Sequence, residues 1–364
     1  MMIRISNIQL FALIITFEIG STTLFALGIG AKQNAWIVIL LASIIGLGLL
    51  WVYTQFAKDY PNQNFSTILN ELLGPKLAKP LLFLFGIYFI NQALHNFYEF
   101  GVLIKMTALP RTPILIILYL FIVVTIYILS LGFEVFARTS EILAPYFLTF
   151  LILIFLTTVV SGEFDIAGFR PVLGGGFQPV LEELPTVIAF PFGEMVVFLM
   201  FFHLVNKPEH IRKVAFWAVG LSAFILMLSL VVMLAVLGPE LTANTEIPIL
   251  ETILTINIAE IITNLDSIAV FIMFIGGFYK TGLHFFGFCL AMTWVFNLQK
   301  TRWLIIIFGL LLPIFSIYRF SGLDEQRYKG LEGGIYGILL MASLPILLLL
   351  ISVVKRKKST RKGV

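Results

Sequence analysis

The hydrophobic positions of this 364-residue chain gather into long apolar runs separated by short polar or Gly/Pro-rich connections. Ten runs can be read, over residues 8–29, 35–57, 80–104, 113–131, 141–161, 182–205, 213–237, 266–290, 303–319 and 334–354. About 20 apolar residues suffice to cross the hydrocarbon core of a bilayer as a helix. The pattern therefore predicts an all-α polytopic membrane protein with ten transmembrane helices. Two runs are interrupted by residues that a lipid-facing helix avoids: Phe17-Glu18-Ile19-Gly20-Ser21-Thr22-Thr23 in the first, and Phe190-Pro191-Phe192-Gly193-Glu194 in the sixth. Backbone N–H and C=O groups freed at membrane depth must face protein, water or a ligand. Broken helices at matching points of the chain thus predict a binding site near the membrane midplane.

The halves, residues 1–161 and 182–354, hold five runs each, so the second half begins with its direction across the membrane reversed. That is the plan of a 5+5 inverted repeat with broken first and sixth helices. Residues 162–181 join the halves on the extracytoplasmic side, and 355–364 form a basic cytoplasmic tail. The joining loop is rich in Gly and Pro but carries Phe164, Phe169, Val172, Leu173 and Phe177, which predicts packing against the mouth of the site. The connection from Gly238 to Asp266 is acidic, with a short amphipathic helix expected near 249–263.

Composition agrees with this reading: 59% of the residues are hydrophobic and only 12% charged. No stretch is left over for a soluble domain. The first run follows Arg4 but carries Glu18 at its centre, so it is expected to be retained rather than cleaved as a signal peptide. Cys289 is the single cysteine, which excludes an internal disulfide framework. Lys and Arg concentrate on the side that holds Arg4, Lys58, Arg138, Lys207, Arg212 and the tail, placing both termini in the cytoplasm. The net charge of +4 comes largely from that tail and implies contact with anionic membrane lipid rather than nucleic acid.

Local motifs carry a family resemblance. Arg170-Pro171-Val172-Leu173-Gly174 followed by Phe190-Pro191-Phe192-Gly193-Glu194 resembles the middle of the B subunits of spore germinant receptors, the endospore germination permease family. Ile19-Gly20-Ser21, Asn34-Ala35-Trp36, Thr112-Pro113 and Phe278-Tyr279-Lys280-Thr281 extend the similarity along the whole chain. The resemblance implies the amino acid, polyamine and organocation transporter fold and a role in sensing germinants, commonly amino acids. It further implies A and C subunits as partners and the inner membrane of the spore as the location. Asn34 stands where relatives often carry an acidic residue, and the ligand is not fixed by the motifs.

Candidate chemistry follows the two breaks. N–H groups near Gly20, Ser21 and Thr22 would open the following half-helix with the positive end of its dipole toward an amino acid's carboxylate. Pro191 and Gly193 free carbonyls that can hold an ammonium group. Tyr98, Phe192, Phe278 and Thr281 are candidates for the ligand's side-chain pocket. Glu194 and Lys280 are ionisable residues at membrane depth, where an unpaired charge costs several kcal/mol. A Glu194–Lys280 pair would resolve both; Lys280 snorkelling to the interface is the alternative. Glu99 and His95 are four residues apart on one helical face, so that one can satisfy the other. The four histidines show no metal-ligand spacing, Gly174-Gly175-Gly176 lacks the Lys-Ser/Thr of a phosphate loop, and no nucleophile–base constellation suggests an enzyme. No cofactor is implied. A proton-coupled amino acid transporter remains the alternative to a sensor, because one site can serve either role.

Overall fold

The computed structural model describes residues 4–20, 22–255, 266–332 and 334–362. Among the described residues, ten helices are long and apolar enough to cross a membrane. The first half contains α1 (Asn7–Ile19), α2 (Ala35–Asp59), the short α3 (Phe65–Leu73), α4 (Pro75–Thr107), α5 (Ile114–Leu131) and α6 (Phe133–Val160). The second contains α7 (Gln178–Ala189), α8 (Ile211–Asn244), the short α9 (Pro248–Leu254), α10 (Asp266–Val295), α11 (Arg302–Arg319), the single turn α12 (Leu323–Arg327) and α13 (Ile335–Lys362). With ten crossings, the first and last described residues lie on one face, and the α6–α7, α8–α10 and α11–α13 connections lie on the other.

Local chemistry sets the boundaries. Ser6 opens α1 with a capping box: its Oγ accepts from the Gln9 N–H at 3.1 Å, and the Gln9 side chain accepts from the Ser6 N–H at 2.9 Å. Pro75 occupies the first turn of α4, where its missing N–H is no loss. Within α8, Gly238 takes φ 72°, a left-handed conformation suited to glycine, and the chain bends there before Pro239. The helix expected near 249–263 is represented by α9; residues 256–265 lie outside the described ones. The amphipathic α3 was not expected. Its nine residues are too few for a span, and Phe65, Ile68, Leu69 and Leu72 bury one face against the bundle.

Helix contacts express the two-fold plan. The third and eighth spans, α4 and α10, form the most extensive pair, and α5 lies against α11. The first span α1 packs on α8, the seventh, while α2 packs on α7 and the half-helix that follows it. Each such contact pairs corresponding elements of the two halves or is the mirror of another, as an internal two-fold axis requires. Outside the helices, Ile5 pairs with the segment after the sixth span: Ile5 N–H donates to Leu204 O at 2.8 Å and Asn206 N–H to Ile5 O at 2.9 Å. The start of α1 is thereby tied to the end of the sixth span.

Both broken runs are broken in space. α1 stops at Ile19, and the chain resumes as a single 3-10 turn, Thr22–Leu24. α7 stops at Ala189, Phe190 is extended, and a tighter 3-10 stretch runs from Phe192 to Met200.

Candidate functional site

At the sixth-span break the missing N–H of Pro191 and the extended Phe190 end α7, and the next turn begins with Glu194 donating its N–H to Pro191 O at 3.1 Å. This geometry aims the Glu194 side chain into the bundle, where it is 2% exposed. Its Oε2 lies 2.7 Å from Lys280 Nζ on α10, and its Oε1 accepts from Gln92 Nε2 on α4 at 2.6 Å. Lys280 is wholly buried, with its ammonium 3.8 Å from the centre of the Phe190 ring. Opposite charges in direct contact, a charge-assisted hydrogen bond and an aromatic face together replace the hydration that these groups lack. Lys280 does not snorkel; the pair lies in the interior.

Beside Glu194 is a cavity of about 200 Å³. One wall is a polar stripe of α4, Gln92, His95, Asn96 and Glu99, whose 3-1-3 spacing places all four on a single helical face. The opposite walls come from Phe25, Ala26 and Ile29 after the first break, from Phe190 and Ile338, from Thr242–Pro248, and from Gln326, Arg327 and Gly330. Below the roughly 300–1,000 Å³ of drug-sized sites, this volume suits a small molecule. Segment 320–330 closes over it: Gln326 Nε2 donates to His95 O at 3.2 Å, Arg327 Nη2 to Glu246 O at 3.0 Å, and the Arg327 guanidinium lies 4.8 Å from the Phe25 ring centre.

The residues expected to form the site divide around this cavity. Glu194 borders it, with Lys280 directly behind. Gly20 meets Gly276 of α10 backbone to backbone, so closely that a Cβ on Gly20 would stand 2.8 Å from Gly276 Cα. Thr22 and Thr281 are buried, and neither hydroxyl has a partner among the described residues. Phe192 packs over Gly46 of α2, and Gly193 sits beside Ile188 O and Ala342. The Tyr98 ring lies tilted against Phe320, ring centres 5.2 Å apart. Phe278 belongs to an aromatic cluster with Phe121, Phe136, Phe274 and Tyr279. Ser21 lies outside the described residues.

Two further expectations resolve differently. His95 and Glu99 share a helical face but do not bond: both His95 ring nitrogens lack partners among the described residues, and the ring instead lies against Phe320 at 4.7 Å. Helical spacing brings two residues onto one face but leaves side-chain direction to packing. The joining loop packs elsewhere than the cavity, to which it contributes no lining residue. Leu173 N–H donates to Asn34 Oδ1 at 2.9 Å, Gln33 Nε2 to Pro171 O at 3.1 Å, and Asp165 N–H to Ala235 O at 2.9 Å, so the loop rests on the start of α2 and the far end of α8. Sequence reasoning missed Gln92, which links α4 to Glu194, and Arg327. The 92-95-96-99 polar spacing in an apolar helix was the signal available for Gln92.

Three comparisons bear on this architecture. The family model described as "Spore germination protein" matches residues 4–321. Spore germination protein KB of Bacillus subtilis is 34% identical over 360 residues, covering 98% of this chain and 96% of that protein. Among solved structures, MhsT in complex with L-phenylalanine superposes with a TM-score of 0.61 at 14% identity, covering 95% of this chain and 88% of that one. A Na+-coupled sialic acid symporter, in a substrate-bound outward-open state, does so with a TM-score of 0.64 at 11% identity, covering 93% and 79%. At such identities the solved structures establish the fold, an inverted-repeat transporter fold with ten spans, and the named relatives are germination and transport proteins rather than enzymes. A family match over nearly the full length, together with this identity to a germination protein, makes the chain an integral multi-pass membrane protein of the spore germination permease family.

Proposed function

We propose that the chain is the germinant-sensing subunit of a spore germination receptor, and that a small molecule, an amino acid in the first instance, binds in the cavity beside the sixth-span break. The observation that carries this reading is the cavity itself: a small, largely apolar space with a few convergent polar groups, set against a broken helix and its buried Glu194–Lys280 pair. The family relationship supplies the germination context. In this reading Gly20, Thr22, Phe192 and Gly193 form the hinges by which occupancy shifts the first and sixth spans, and Tyr98, Phe278 and Thr281 support them from α4 and α10. The shift reaches A and C partner subunits in the inner membrane of the spore, with both termini on the core side.

A second reading, a proton-coupled amino acid transporter, is favoured by one observation: a buried carboxylate–amine pair in contact is a group of the kind that proton-coupled carriers titrate. Purified protein is screened for thermal stability against the twenty amino acids, with Ala26→Trp, which fills the cavity, as control. A ligand at 100 times its dissociation constant stabilises by about 2.7 kcal/mol. Stabilisation of the wild type and not of Ala26→Trp supports the cavity as the site; no shift, or an equal shift in both, contradicts it. Proteoliposomes then separate the readings: a sensor binds the same ligand without accumulating it, whereas a transporter accumulates it when a proton gradient is imposed.

A further inference from the structure

The charges around the cavity are unevenly matched. Four ionisable carboxylate or guanidinium groups face it: Glu99, Glu194, Glu246 and Arg327. Glu194 is neutralised by Lys280 at 2.7 Å and also accepts from Gln92. Glu246 and Arg327 face each other, Oε1 to Nη1 at 4.0 Å, and the guanidinium is held further by the Glu246 carbonyl and the Phe25 ring. The Phe190 ring is already taken by the Lys280 ammonium. Glu99 is different: it is 6% exposed, and no described residue hydrogen-bonds or ion-pairs with its carboxylate. One turn away on the same face, Asn96 spends its Nδ2 on Gln92 O at 2.8 Å, and its Oδ1 receives no hydrogen bond from the described residues.

A buried carboxylate without a partner is costly, and the His95 ring, the neighbouring group on this wall whose nitrogens have no partner among the described residues, lies against Phe320 rather than bonding to it. What completes such a wall is a compact group with several donors and one positive charge. We propose that Glu99 selects the charge of the ligand by seating a primary ammonium group, with Asn96 Oδ1 as the second acceptor. An ammonium has three rotatable donors and no acceptor, so it can serve Glu99 and Asn96 together and direct the rest of the molecule toward Phe25, Ile29 and Ile338. The ligand class is an α-amino acid or a simple alkylamine, and neutral sugars or nucleosides are excluded. This assignment rests on the cavity being the germinant site and names the chemistry that the site requires.

The test uses the full-length protein in lipid nanodiscs at neutral pH. Thermal stability is followed against the twenty amino acids, the amines left by removing their carboxylates, their N-acetyl derivatives, and a set of neutral sugars and nucleosides. Only compounds with a free ammonium group are expected to raise the midpoint. Glu99→Gln should weaken the strongest of them tenfold or more, as loss of a charge-assisted contact does, while its ligand-free midpoint stays at or above that of the wild type. That last readout separates a ligand anchor from a structural residue, whose loss would lower the ligand-free midpoint. Equal binding of an N-acetyl derivative, binding of a neutral sugar that Glu99→Gln leaves unchanged, or unaltered amine affinity in Glu99→Gln overturns the role of Glu99 and leaves the small-molecule site standing. Absence of a shift with every compound overturns both.

Discussion

The first and sixth spans are broken at corresponding points of the two repeats, yet the two breaks are built in opposite ways. At the first, Gly20 is pressed against the Gly276 backbone of α10, and the hydroxyls of Thr22 and Thr23 and the carboxylate of Glu18 are buried without hydrogen-bond partners among the described residues. At the sixth, Glu194 has an ion pair, a 2.6 Å hydrogen bond and a cavity beside it. A repeat supplies two copies of a deformable element, and packing decides which copy meets a ligand. Small residues let backbones approach in a membrane interior; here they close one break and leave the other open to polar groups.

The sharpest way to break this contrast is to remove one partner of the ion pair. Lys280→Met leaves a buried carboxylate with only Gln92, and stranding a buried charge in this way costs about 3–5 kcal/mol. Glu194→Gln strands the ammonium with similar effect. The double variant Lys280→Met with Glu194→Leu should recover most of the loss, because a packed apolar pair avoids desolvation altogether. Denaturation of the purified variants would show this as two low midpoints and one near the wild type. A double variant as unstable as the singles would mean that these residues hold more than each other.

Gly20→Ala attacks the other break. Its methyl group would stand 2.8 Å from Gly276 Cα and 2.8 Å from Thr16 O, and both neighbours are backbone that cannot turn aside. Overpacking of this kind costs about 1–3 kcal/mol, occasionally more. The loss should appear as lower thermal stability whether or not a ligand is present. Ligand binding that falls while stability holds would instead place the first break in the site.

How much of this was legible beforehand follows from what each residue type can announce. Pro191 and Gly193 inside an apolar run are incompatible with an unbroken lipid-facing helix, so the break and its position could be read directly. Glu194 and Lys280 announced themselves as charges at membrane depth, and their separation along the second half concealed only the distance between them. Gln92 announced nothing. An amide in a helix serves helix packing as readily as it serves a carboxylate, and only the Gln92, His95, Asn96, Glu99 stripe distinguished the two. Arg327 lies in a connection whose path depends on α11, α12 and α13 together, so its place over Phe25 is a tertiary outcome. Phe192 and Phe278 were candidates for the ligand's side-chain pocket; in this fold Phe192 packs over Gly46 and Phe278 joins the Phe121 cluster, contacts that depend on tertiary packing.

Gln92→Leu tests whether α4 belongs functionally with the sixth break. It removes a hydrogen bond to a charged group, worth about 1.5–3 kcal/mol, and replaces it with a side chain of similar reach. Lys280 still neutralises Glu194, so the loss should sit near the lower figure and fall well short of that for Lys280→Met. Ligand affinity measured by titration should drop alongside, since the Glu194 carboxylate can then turn within the cavity wall.

The smallest effect carries the contrast furthest. Thr22→Val removes a hydroxyl that is 1% exposed and has no partner among the described residues, and it keeps the branched shape. A buried hydroxyl that makes no bond contributes nothing to stability, and its desolvation is a cost already incurred on folding. Thr22→Val should therefore leave stability within about 0.5 kcal/mol of the wild type, the range of substitutions that break no specific feature, and any change should be a gain. Ligand affinity should not move. A loss of 1 kcal/mol or more, the net worth of an ordinary hydrogen bond, would mean that the hydroxyl has a partner when the protein is in its membrane. In that case the first break also binds something polar, and the two repeats differ in what they hold rather than in whether they hold anything.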